Sequence, residues 1–158
     1  MVLPTFVPVT GIITSISPFS QECCSHLISL RTTDGTINFV VSGDTFVVDA
    51  VRLRSGMRVT AFYNPNVPVP LIFPPQYRAE VIAPLLPGDQ AAMGLFDDDL
   101  LAANGSLQLT LDNRTILATP NGQRYECSPG GNTLLVYYRN TTRSIPPQTT
   151  PRKIIVFC

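Results

Sequence analysis

His26 is the only histidine of the chain, and Ser25 stands beside it. Adjacent side chains of an extended segment face opposite ways, so these two do not make a nucleophile and its base. A Gly-x-Ser-x-Gly elbow, a His-Glu-x-x-His pair and a phosphate-cradling glycine loop are all missing from the sequence. The expectation is therefore a protein that is not an enzyme. Asp97-Asp98-Asp99 offers carboxylates to a hard cation, but the spaced ligands and the glycine of a calcium loop are lacking. It reads as a solvated charge run. Cys23, Cys24, His26 and the distant Cys127 fit no zinc spacing, so neither a metal site nor a cofactor is expected.

Thiol chemistry of another kind remains. Cys23 and Cys24 lie in the polar stretch 20–25 and Cys158 is the last residue, so all three are expected to be exposed. They are candidate intersubunit thiols, able to cross-link neighbours once an oxidant is met. Cys127, between Glu126 and Ser128 and close to Tyr125, is expected to pack in the core as a small hydrophobe. Residues 1–16 carry Pro4, Thr5, Pro8 and Thr10 without a basic start, which does not read as a signal peptide. The thiols are then reduced when the protein is made.

Arg52, Arg54 and Arg58 cluster, as do Arg139, Arg143, Arg152 and Lys153, yet 11 basic residues are matched by 11 acidic ones. Without a basic excess, counterion release gives little affinity, and nucleic acid is not an expected partner. Charged residues are 14% of the chain, against roughly 25% in an ordinary soluble domain. Arginine, more weakly hydrated than lysine, suits interfaces at least as well as polyanions. The longest apolar runs fall short of the roughly 18 residues a membrane helix needs, so insertion is not expected. Asn-x-Ser/Thr sequons at Asn104, Asn113 and Asn140 carry weight only if the chain meets a glycosylating pathway.

The elements behind these residues read as strands. The 15 prolines and 10 glycines of the chain argue for short strands and turns rather than long helices. A repeat organises them: GTINFVVSGDTFV from Gly35 aligns without gaps on GSLQLTLDNRTIL from Gly105, with Ile37, Phe39 and Val41 falling on Leu107, Leu109 and Leu111. Downstream, Phe62-Tyr63 is echoed by Tyr137-Tyr138, Pro74-Pro75-Gln76 by Pro146-Pro147-Gln148, and Val81-Ile82 by Ile154-Ile155. The expected fold is all-β, with two duplicated OB-like or Greek-key barrels in tandem: residues 1–84, a linker 85–94, and residues 95–158. Strands are expected over 11–16, 27–33, 37–41, 59–63 and 77–83 in the first half. In the second they are expected over 107–111, 115–118, 123–127, 134–138 and 153–157. Asp34-Gly35, Asn104-Gly105 and Asn121-Gly122 predict hairpin turns, the first of type I′.

The second half shows no evident opening strand, so its sheet either borrows one or keeps an open edge. Residues 2–9 are apolar and extended by proline, and Val2, Leu3, Thr5, Phe6, Val7 and Val9 form an arm that could fill such an edge, in its own chain or in a neighbour. The plainer alternative is a longer first strand that caps its own barrel. The paired Pro-Pro-Gln motifs, with Tyr63 and Tyr138 upstream, read as rigid rim loops in which proline fixes the backbone and the Gln amide ties the loop down. A contact surface for peptide or glycan is the functional counterpart.

Those motifs carry a resemblance. Thr141-Thr142-Arg143-Ser144-Ile145-Pro146-Pro147-Gln148, between Tyr137-Tyr138 and Lys153-Ile154-Ile155, resembles a motif of small bacterial β-proteins of Gram-positive, often spore-forming organisms, akin to tandem OB-like domains of surface and envelope proteins. The first half departs from it, with Val69-Pro70-Leu71 ahead of Ile-Phe-Pro-Pro-Gln. The resemblance implies a fold and a bacterial setting and carries no catalytic residue or cofactor. Together with zero net charge, the arm and the thiols, it leads to an expected non-enzymatic structural protein. Such a protein forms a homo-oligomer or polymer as a fibre or coat component on a cell or spore surface. A monomeric OB-like module binding peptide, glycan or oligonucleotide is the alternative.

Overall fold

The computed structural model describes residues 5–158, and the chain is all-β. It divides into two compact units, residues 6–86 and residues 87–158.

In the first unit β1 (Val7–Pro18) lies between β2 (His26–Thr32) and β5 (Arg58–Tyr63), antiparallel to both. β3 (Gly35–Val41) follows β2 by a hairpin, and β7 (Val81–Pro84) flanks β5. Two short strands close the circuit. β6 (Gln76–Arg78) runs parallel to β3, and β4 (Phe46–Val47) runs parallel to β7. Since β3 leads into β4 and β6 into β7, each pair is one strand path broken by a bend, and five paths form a closed ring. The alternation expected for 37–41 turns Phe39 fully inward, against Ile13, Ile28, Leu30, Val59 and Ile82. Val48–Ala50 forms a single 3-10-type turn with Asp49 and Ala50 at positive φ.

The second unit repeats this ring in shortened form. β8 (Gln90–Leu95) pairs with β11 (Thr133–Tyr138), which pairs with β13 (Lys153–Phe157), itself parallel to β10 (Ile116–Ala118). β9 (Gln108–Leu109) runs parallel to β12 (Gln148–Thr149). The counterpart of β2 shrinks to Leu101 and Ala102, bridged to Gln108 on one side and Phe96 on the other. Leu134, Val136, Ile154 and Val156 fill its core.

Several expectations change here. Segment 85–94 is not a linker, because it contains most of β8, which supplies the opening strand of the second ring, so the edge on β11 is occupied. The arm is not spare either: Val7 and Val9 belong to β1 and pair with Tyr63 and Ala61 of the same chain, as in the plainer alternative. Thr5 and Phe6 lead into that strand, while Val2 and Leu3 lie outside the described residues. Residues 123–127 form no strand and meet Ala118 only through an isolated bridge at Arg124. Cys127 is consequently exposed, not buried. The Asp34-Gly35 turn has a positive φ at Gly35 alone, so it is not type I′. Thr32 holds it instead, its Oγ1 accepting from the Asp34 amide at 3.1 Å and donating to the Gly35 carbonyl at 2.7 Å.

Candidate functional site

Hydrogen bonds fix how the two rings correspond. The Asn38 amide donates to the Pro75 carbonyl at 2.8 Å, and the Gln108 amide to Pro147 at 2.9 Å. Thr45 Oγ1 donates to the Ala79 carbonyl and Thr115 Oγ1 to that of Pro151, both at 2.8 Å. The Glu80 amide reaches Phe62 and the Arg152 amide reaches Tyr137. The two Pro-Pro-Gln loops are thus equivalent, each with a cis peptide before its first proline. Val81, however, opposes Phe62 as Lys153 opposes Tyr137, so Val81-Ile82 corresponds to Lys153-Ile154, one residue earlier than the sequence echo.

Each ring carries a groove at the same place, between its Pro-Pro-Gln rim and the end of its central strand. The groove of the first ring encloses about 190 Å³ and that of the second about 590 Å³. Six lining positions correspond one to one: Val40 with Thr110, Asn64 with Arg139, Gln76 with Gln148, Tyr77 with Thr149, Arg78 with Thr150 and Glu80 with Arg152. The backbone is shared and the chemistry differs: the first groove sets tyrosine and proline walls beside Asn64, Gln76, Arg78 and Glu80, and the second is built of hydroxyls, amides and guanidinium groups.

In the first groove Tyr63 and Tyr77 stack with ring centroids 4.0 Å apart, and Phe39 supports both from the core side. Burial, with the Tyr77 phenol next to it, pushes the Tyr63 hydroxyl above its ordinary value. Residues Val67, Pro68, Val69 and Pro70 wall the groove. In the second, the rim is tied down through the Gln148 backbone rather than its side-chain amide: Thr142 Oγ1 accepts from the Gln148 N–H, and the Thr142 N–H donates to the Gln148 carbonyl. Burial pushes the Tyr138 phenol up as well.

Beneath the second groove sits a charge cluster that the sequence did not reveal. Asp89 is fully buried; Arg152 donates to it through Nε and Nη2, the latter at 2.6 Å, and Arg139 through Nε at 3.2 Å. The Arg152 guanidinium also lies 4.7 Å from the centre of the Tyr137 ring.

The remaining candidate residues are dispersed. Ser25 is buried and donates to Glu22, while His26 is exposed on β2 and lines a depression together with Ile16, Ile28, Val47 and Arg52. Asp97 is a turn residue, its Oδ1 accepting from the Asp99 and Leu101 amides at 2.9 and 3.0 Å. Among the described residues no group of acidic, histidine or cysteine side chains is arranged to hold a metal ion. Among the described residues no helix is long and apolar enough to cross a membrane. All four cysteines are exposed.

The rims also project side chains outward. Leu71, Ile72 and Phe73 precede Pro74 with relative exposures of 102%, 53% and 93%, and Ile145, the equivalent of Phe73, is at 100%. Compared with protein-family models, with curated proteins and with solved structures, the chain matches none.

Proposed function

We propose that the chain is a non-enzymatic structural protein that associates with copies of itself through its Pro-Pro-Gln rims, on a bacterial cell or spore surface. One observation carries this: both rims hold large apolar side chains out in water at equivalent positions, Phe73 and Ile145, with Leu71 and Ile72 beside the first. Isolated exposed apolar residues are ordinary, but a run of three on one loop tip marks a contact surface. A low density of charge supports the reading, because little repulsion opposes contact between copies. The ring order, with its parallel pairing of the third and fifth strand paths, supports an OB-like description of each unit.

Association in this form uses loop tips, not a donated strand, since Val7 and Val9 are engaged within the chain. Sedimentation velocity over a wide concentration range tests it, with negative-stain microscopy of the same samples under reductant. The expected result is concentration-dependent growth that disappears in the Phe73→Ser, Ile145→Ser double variant. A single monomeric species at every concentration overturns the proposal.

A further inference from the structure

The two rings offer an internal control. At the positions of Asp89, Arg139 and Arg152 the first ring has Phe6, Asn64 and Glu80, and among the described residues it closes its sheet without a buried ion cluster. The fold therefore does not require the cluster. Burying a carboxylate and gathering cations around it is costly, and it contributes little stability that an apolar residue would not. Its place is informative: both arginines that hold Asp89 also line the larger groove. Two guanidinium groups against one carboxylate leave one positive charge in excess. Asp89 fixes the geometry of both, through Arg139 Nε on one side and both Nε and Nη2 of Arg152 on the other. Arg139 keeps half of its side chain exposed. Around it stand Thr110, Asn140, Thr141, Gln148 and Thr150, supplying hydroxyl and amide groups without another charge.

We propose that this groove binds a small polyhydroxylated molecule carrying one anionic group, with Arg139 holding the oxyanion and the threonine and amide side chains holding the hydroxyls. A guanidinium whose Nε is already anchored presents its outer nitrogens as a pre-oriented fork for carboxylate or phosphate. The volume of about 590 Å³ fits a molecule of monosaccharide size with water around it. The anion is carried by a sugar acid or by a sugar phosphate, and the shared chemistry is what the groove selects.

Titration of the ¹⁵N-labelled full chain followed by amide shifts tests this, with glucuronate, glucose 6-phosphate, glucose and inorganic phosphate as separate probes. The expected result is saturable shifts at Thr141, Thr149 and Thr150 with glucuronate or glucose 6-phosphate, whichever anion the groove prefers. Glucose should bind about tenfold more weakly or worse. Arg139→Gln should lose about tenfold in affinity and Arg139→Lys less than that. Thr110→Val, which leaves the ion cluster untouched, should weaken binding severalfold, and the spectra themselves report that each variant is folded. Glucose binding as tightly as the sugar anions, or inorganic phosphate binding as tightly, would overturn the proposal, the first by removing the anion and the second by removing the hydroxyls. So would the absence of saturable shifts with both sugar anions, or unchanged affinity in the folded Arg139→Gln and Thr110→Val proteins.

Discussion

Asp89 is held by residues 50 and 63 positions away, which is why no local pattern in the sequence announces it. Its neighbours Pro87 and Gly88 give the segment the look of a joint, and only the folded ring brings Arg139 and Arg152 to it. Replacing it by alanine leaves two guanidinium groups facing each other across the vacated site. With both arginines partly open to water, we expect Asp89→Ala to cost roughly 3 kcal/mol in urea unfolding, at the low end for a broken buried pair. The tyrosines give a pH signature. Tyr63 and Tyr138 have phenols raised above the ordinary 10.0, so their neutral forms are favoured in the fold. Their contribution is complete below about pH 10 and is lost as pH rises through the raised folded values. Absorbance at alkaline pH should show a late-ionising fraction, and Tyr63→Phe and Tyr138→Phe should each remove part of it.

Strands are legible where β-branched and aromatic residues alternate, as in 37–41, or form an unbroken apolar run, as in 134–138, and illegible where they do neither. β8 is Gln-Ala-Ala-Met-Gly-Leu, without a β-branched residue, and its strand character comes from pairing with β11 rather than from its own propensity. The counterpart of β2 in the second ring is legible still less, being reduced to Leu101 and Ala102. Phe39 and Leu109, which the sequence aligns, are both buried, and such inward positions are the ones that packing keeps apolar. The grooves escaped notice for the complementary reason, since lining positions are free to diverge once packing is satisfied. Close approach of β1 to β2 depends on Gly11, where an added Cβ would stand 2.7 Å from the Arg31 carbonyl oxygen. Gly11→Ala should therefore cost about 1–3 kcal/mol in thermal or urea unfolding. Gly43, with nothing within 4 Å of such a Cβ, serves as its control, and Gly43→Ala should be neutral or stabilise by up to about 1 kcal/mol.

At the scale of the molecule, all four thiols lie open to solvent. Ellman's reagent added to native, reduced protein should titrate all four cysteines without denaturant, Cys127 among them. A slow or hidden thiol would contradict the exposure of that loop. Cys23 and Cys24 are consecutive, whereas Cys127 and Cys158 lie far along the chain. A molecule with more than two points of attachment has a valence above that of a link in a thread. On the proposed association, oxidation would join copies as a branched mesh, in which removing any one thiol lowers the branching without cutting the network.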